Sequence, residues 1–98
     1  MRLKHYVVAY DVADRKRRNK LSKWLLNFAY RVQYSVFEMK VDDLTKEKVV
    51  DGIGLCLNRK EDSVIIYELD ADCWDKKILL GPQTEERDMC EKDFVILG

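Results

Sequence analysis

Proline is nearly missing from this chain, at one residue in 98, and glycine is scarce at four, so neither collagen-like repetition nor a long flexible linker fits. Histidine occurs once, as His5, outside any recognisable motif, which makes a histidine-dependent general acid a poor starting point. The three cysteines, Cys56, Cys73 and Cys90, are widely spaced and form no Cys-x-x-Cys pair, which argues against a zinc site or a disulfide framework. No apolar run approaches the roughly 18 residues of a membrane span, and the first ten residues carry no secretory pattern, so a cytoplasmic protein without membrane association is expected. Net charge is lacking too, because 18 basic and 18 acidic residues cancel. Any site for a polyanion must therefore be a local patch.

What is present is uneven. From Arg15 to Lys23 the chain has six cations, Arg15, Lys16, Arg17, Arg18, Lys20 and Lys23, and no acid, whereas Glu85 to Asp93 has five acids against two bases. At 47% apolar and 37% charged residues the composition is that of an ordered domain, and 98 residues make one domain with about 77–98 as a C-terminal extension.

Lys4 to Asp11 reads as a strand, apolar on both alternating faces: Tyr6, Val8 and Tyr10 on one, Val7 and Ala9 on the other. Asp14 is a good N-cap for a helix from about Arg15 to Ala29, with Leu21, Trp24, Leu25 and Phe28 as its inner stripe. Tyr30 to Lys40 predicts two short strands joined by a bend near Gln33 to Ser35. Asp42 or Asp43 caps a second helix to about Leu57, with Val49, Val50, Ile53 and Leu57 facing inward. Gly52 and Gly54 are expected to weaken that helix by roughly 1 kcal/mol each. A strand follows over Asp62 to Leu69, then Lys77 to Leu80, a Gly81-Pro82 turn, an acidic loop, and a last apolar run from Phe94 to Leu97.

The order β-α-β-β-α-β is that of an α+β, ferredoxin-like domain with two helices on one face of an antiparallel sheet, here with an extra C-terminal strand. Strands apolar in both directions leave a second face to be covered. A second copy of the chain, sheet against sheet across a twofold axis, is the simplest cover, and Phe94 to Leu97 is suited to adding to a sheet edge of its own chain or of the partner.

The chemistry starts at Asp11, a carboxylate at the mouth of the first strand followed directly by the cation run. In isolation such a residue is more often a turn former than a ligand. A twofold axis near the strand end would bring two copies together, and two carboxylates about 5 Å apart repel by roughly 3 kcal/mol at an effective dielectric of 20. A shared proton or a divalent cation, Mg2+ or Mn2+, relieves that repulsion and suits phosphodiester chemistry. The cations oppose the helix dipole at a position where stability alone favours acids. Arg17 and Arg18 flank the apolar stripe and are expected to contact phosphate, with Lys20 and Lys23 as rim charges. Arg31 suits a carboxylate or a phosphate equally. Tyr34 and Phe37 read as core or interface residues more than base-stacking platforms, and Ser35 as a bend residue.

Three blocks taken together, Tyr6-Val7-Val8-Ala9-Tyr10-Asp11-Val12 with its arginine-rich helix, Arg31-Val32-Gln33-Tyr34-Ser35-Val36-Phe37-Glu38, and Glu61-Asp62-Ser63-Val64-Ile65-Ile66-Tyr67, resemble the small CRISPR-associated Cas-two family. The resemblance implies a ferredoxin-like homodimer that joins the Cas-one integrase in capturing and inserting spacer DNA, in a family whose members are also described as magnesium-dependent endonucleases on RNA or DNA. It implies a metal and catalytic role for Asp11, paired across the dimer. Arg18, Arg31 and Phe37 match other positions implicated in activity, with Ser35 beside the metal region. Met39 stands where many relatives carry glycine, and Lys20 where some carry arginine. A noncatalytic DNA-bridging scaffold and a toxin-like messenger-RNA interferase are the competing functions on the same fold.

Overall fold

The computed structural model describes residues 2–76, 78–81 and 95–97. The elements run β1 (Lys4–Asp11), α1 (Arg15–Leu25), β2 (Tyr30–Gln33), β3 (Val36–Val41), α2 (Asp43–Cys56), β4 (Ser63–Leu69), α3 (Ala71–Asp75), β5 (Ile78–Leu80) and β6 (Val95–Leu97). The first four strands form one antiparallel sheet in the order β2-β3-β1-β4, so β1 is central and the two helices of the β-α-β-β-α-β core are its crossovers. This is the ferredoxin-like α+β arrangement the sequence predicts.

Alternation along β1 divides the sheet into two faces. Tyr6, Val8 and Tyr10 are buried, and their register partners Met39, Phe37, Val64 and Ile66 join them in a core closed by Leu21 and Leu25 of α1 and by Val49, Ile53 and Cys56 of α2. Met39 is completely enclosed and adds a side chain to the core, and β3 continues past it to Val41. The odd residues, His5, Val7, Ala9 and Asp11, fall on the other face beside Val36, Ile65 and Tyr67. Ile65 and Tyr67 are each 53% exposed there, which is the uncovered apolar surface expected from two-sided strands.

Both long helices start on an aspartate cap. The Asp14 carboxylate accepts from the Arg17 N–H at 2.9 Å, and Asp42 accepts from the Thr45 N–H at 2.8 Å. Helix α1 stops at Leu25 rather than Ala29 because the Asn27 amide donates to the carbonyls of Lys23 and Trp24, competing for the last helical acceptors, and the chain tightens into turns. On α2 the inner stripe is Val49, Ile53 and Cys56; Val50 turns outward and Leu57 is the half-buried cap position.

Gly52 has a different role from the one expected of it. A Cβ placed there would overlap the Trp24 indole, whose Nε1 donates to the Val49 carbonyl at 3.1 Å and whose ring meets Phe28 edge-on at 5.0 Å. The absence of a side chain is what lets α1 and α2 approach.

Helix α3 has no counterpart in the sequence reading. Asp70 caps it by accepting from the Cys73 N–H at 2.9 Å, and it buries Trp74 to 1% exposure with the indole 4.5 Å from the His5 ring, on the face opposite the long helices. Strands β5 and β6 pair parallel with one another in a separate two-stranded sheet rather than with an edge of the main sheet. Lys77, Pro82, the acidic 83–93 stretch and Phe94 lie outside the described residues.

Replacing Gly52 by Ala sets a helix-propensity gain of about 1 kcal/mol against an overpacking cost of about 1–3 kcal/mol. Because the displaced indole also loses its bond to Val49, G52A is expected to lower the urea midpoint at unchanged m-value. A raised midpoint would show that Trp24 moves aside without cost.

Candidate nucleic-acid interface

Strand β1 ends at Asp11, turns through Val12 and Ala13, and enters α1, while the β2–β3 turn brings Tyr34 and Ser35 alongside. A backbone bond from the Tyr10 N–H to the Ser35 carbonyl, 3.1 Å, and a longer one from the Tyr10 hydroxyl to the Tyr34 carbonyl, 3.4 Å, hold the two turns together. The result is a hollow of about 280 Å³ lined by Tyr10, Asp11, Val12, Ala13, Arg18, Tyr34 and Ser35. Asp11 is exposed at its edge, with no ion pair or side-chain hydrogen bond among the described residues.

Arg18 crosses the hollow. Its Nη1 donates to the carbonyls of Val12 at 3.2 Å and Ala13 at 3.1 Å, and its guanidinium carbon lies 5.5 Å from the centre of the Tyr34 ring. Tyr34 is 69% exposed, so it is neither a core side chain nor covered within this chain. The sequence weighed it with Phe37 because both are aromatic and flank a bend; only the register separates them. Phe37 is fully buried beside Val8, stacked 6.1 Å from Tyr10, and it supports the hollow from beneath.

Arg31 does not line the hollow. Its guanidinium sits 5.2 Å over the Phe37 ring and beside the buried Tyr10 hydroxyl. Burial pushes that phenol up and Arg31 opposes the shift. Lys20 and Lys23 are exposed on the other flank of α1, in a groove with Trp24, Asn27, Gly52, Leu55 and Cys56 between the two long helices.

Arg17, expected as a phosphate contact, is already occupied. Its Nε donates to Asp62 Oδ2 at 2.7 Å and its Nη2 to Asp62 Oδ1 at 3.2 Å, a two-pronged pair, while Nη2 also reaches Glu61 Oε1 at 3.2 Å. The Asp62 side chain is shielded from solvent, and its Oδ2 takes a further bond from the Asn58 N–H at 2.8 Å. The Arg17 fork and then the Asn58 amide hold the Asp62 carboxyl below the usual carboxylate range, and Asp62 in turn raises Arg17. A phosphate would have to displace Asp62 to take this guanidinium.

The structure thus brings Asp11, Arg18 and Ser35 into one hollow, adds Tyr34, and sets Arg17, Arg31, Lys20 and Lys23 apart from it. Among the described residues no three His, Cys, Asp or Glu side chains cluster as a metal site. The hollow holds one carboxylate, Asp11, an oxygen donor that suits a hydrated hard cation whose remaining ligands come from elsewhere.

Residues 4–77 match the profile of the family described as CRISPR associated protein Cas2. The chain is 34% identical over 98 residues to a CRISPR-associated endoribonuclease Cas2 of Thermus thermophilus, covering 97% of this chain and 100% of that one. It is 39% identical over 94 residues to one of Synechocystis, covering 94% and 97%. Its fold is similar to the crystal structure of a hypothetical protein of Thermus thermophilus, with TM-score 0.75, 32% identity, and 84% of this chain and 95% of that one covered. It is also similar to Streptococcus pyogenes Cas2, with TM-score 0.64, 30% identity, and 66% and 84% covered.

Because the folded Asp62 carboxyl is depressed, its contribution to stability is complete above the ordinary carboxylate range and is lost as pH falls through the folded value. Urea unfolding followed from pH 7 to pH 3 is therefore expected to show a steeper acid loss for wild type than for D62N. Parallel curves would mean that the pair carries no pH-dependent stability.

Proposed function

The chain belongs to the CRISPR-associated Cas2 family, and from that membership we propose that it acts in the cytoplasm as a homodimer on the phosphodiester backbone of nucleic acid. In this reading it supports spacer capture and insertion with the Cas-one integrase and has a metal-dependent endonuclease activity of its own. The observation that carries the reading is the exposed Asp11, set by strand alternation on the uncovered sheet face and sharing its hollow with Arg18.

Two sheets packed through Val7, Ala9, Ile65 and Tyr67 bury apolar surface that helices leave open, at about 25 cal/mol per Å² removed from water. The same packing turns the two Asp11 carboxylates toward each other. A Mg2+ or Mn2+ ion suits this donor set, with water and substrate oxygens completing its shell, and when bound it supplies charge stabilisation at the phosphoryl oxygens.

The chain's own residues supply the rest. Arg18, pinned through Nη1 to the β1–α1 turn, presents a fixed positive charge to a phosphate next to Asp11. The exposed Tyr34 ring offers a stacking surface for a base splayed from the strand. Ser35 shapes the wall through its backbone, and Phe37 and Arg31 brace Tyr10 beneath it. Lys20 and Lys23 add long-range attraction, which falls with salt. The proposed contacts are to phosphate and to a base face, so either RNA or DNA is compatible; the names of the relatives, endoribonucleases, favour RNA.

A second reading, a DNA-bridging scaffold without chemistry of its own, is favoured by the hollow's having one carboxylate from each chain. D11N separates the two. It keeps the side chain's size and is expected to lower cleavage of single-stranded RNA about a hundredfold or more, as does chelation of the divalent ion, while sedimentation still reports the dimer. If D11N supports undiminished spacer acquisition, the scaffold reading takes over that role. The double variant I65D/Y67D, which places charge on the open face, is expected to sediment as a monomer; a persistent dimer would move the interface elsewhere.

A further inference from the structure

Arg17 and Asp62 lie outside the hollow, but each is next in sequence to a residue tied to it. Arg18 follows Arg17, and Ser63, the register partner of Asp11, follows Asp62. The pair is two-pronged, at 2.7 and 3.2 Å, across 45 residues of sequence. On one side Asp14, the α1 cap, accepts from the Arg17 N–H and stands 3.9 Å from its guanidinium. On the other, Asp62 fastens the turn before β4 through the Asn58 N–H. The start of α1 and the start of β4 are thus locked together just behind the two side chains that the proposed site uses.

We propose that the Arg17–Asp62 pair is a positioning clamp, which sets the placement of Arg18 relative to Asp11 and touches neither substrate nor metal. This rests on the reading of Asp11 and Arg18 as the phosphodiester site. A planar fork against a shielded carboxylate fixes both distance and rotation, whereas a lysine at position 17 would keep the charge and lose the rotation. Displacements of about 1 Å behind a catalytic group are enough to cost roughly a hundredfold in rate. Glu61, 60% exposed at the rim, adds a screened contact that fixes little.

The test compares full-length wild type with R17K, D62N and E61Q on a labelled single-stranded RNA with Mg2+ or Mn2+, alongside amide hydrogen exchange and thermal melting. R17K and D62N are expected to lower kcat roughly ten- to a hundredfold with KM little changed, and E61Q to match wild type. Exchange over residues 12–18 is expected to accelerate in D62N while the β1–β3 amides stay protected. R17K guards against a D62N chain that folds poorly.

Wild-type kcat in both R17K and D62N overturns the clamp and leaves the Asp11 reading standing. A matched rise in KM with kcat unchanged also overturns it, since it would place the pair in substrate binding. If wild-type protein cuts no substrate while D62N binds RNA and exchanges at residues 12–18 as wild type does, both the site reading and the clamp fail. If wild type cuts nothing yet exchange at 12–18 accelerates in D62N, only the site reading fails and the clamp stands as the device that orders Arg18.

Discussion

Alternation along β1 is the constraint on which the rest of the molecule depends. The strand is central, paired on both sides, so its register is fixed twice, and a slip of one residue against either neighbour would exchange Tyr6, Val8 and Tyr10 for His5, Val7 and Ala9 in the core. With the even residues committed to the helices, Asp11 has to emerge on the other face. A charged side chain there costs nothing in this chain, because the strand is ending and the face is open. The same parity puts Ser63, Ile65 and Tyr67 beside it, so one arrangement of side chains creates an acidic mouth and the apolar surface that invites a second sheet.

The start of α1 shows how a cation run is accommodated against a helix dipole. No acid lies in its first turn, yet three carboxylates gather there: Asp14 as the helix's own cap, and Glu61 and Asp62 from the turn before β4. The cations consequently divide by direction rather than by sequence neighbourhood. Arg17 is turned inward against Asp62, Arg18 swings over the β1–α1 turn, and Lys20 and Lys23 face the groove between the long helices. What reads as one basic stripe in the chain is three environments in space.

Strand and helix order was legible because it rests on local periodicity and on aspartate caps, and the composite Arg31 to Glu38 block was legible as a bend between strands. That Asp11 and Arg18 share one hollow was legible because they sit close together in the chain, either side of the β1–α1 turn. The partner of Arg17 was not, since Asp62 is 45 residues away and a strand's first neighbour looks like any turn former. Gly52 passed for a weak point in α2 because propensity scales see only the helix, not the indole pressed against it. Tyr34 and Phe37 look alike in the sequence, since composition does not reveal which side of a bend is buried. Helix α3 was missed for its brevity, although Asp70 three residues before Cys73 carries the same capping signal as Asp14 and Asp42.

Trp74 has a mechanical corollary for the uncovered face. Its indole lies on the ring of His5, at the far end of β1 from the acidic mouth, and occupies that end of the surface from within the chain. With Trp74 enclosed over His5, that end of the face is filled from within the chain, and the exposed apolar side chains Ile65 and Tyr67 lie further along, toward Asp11.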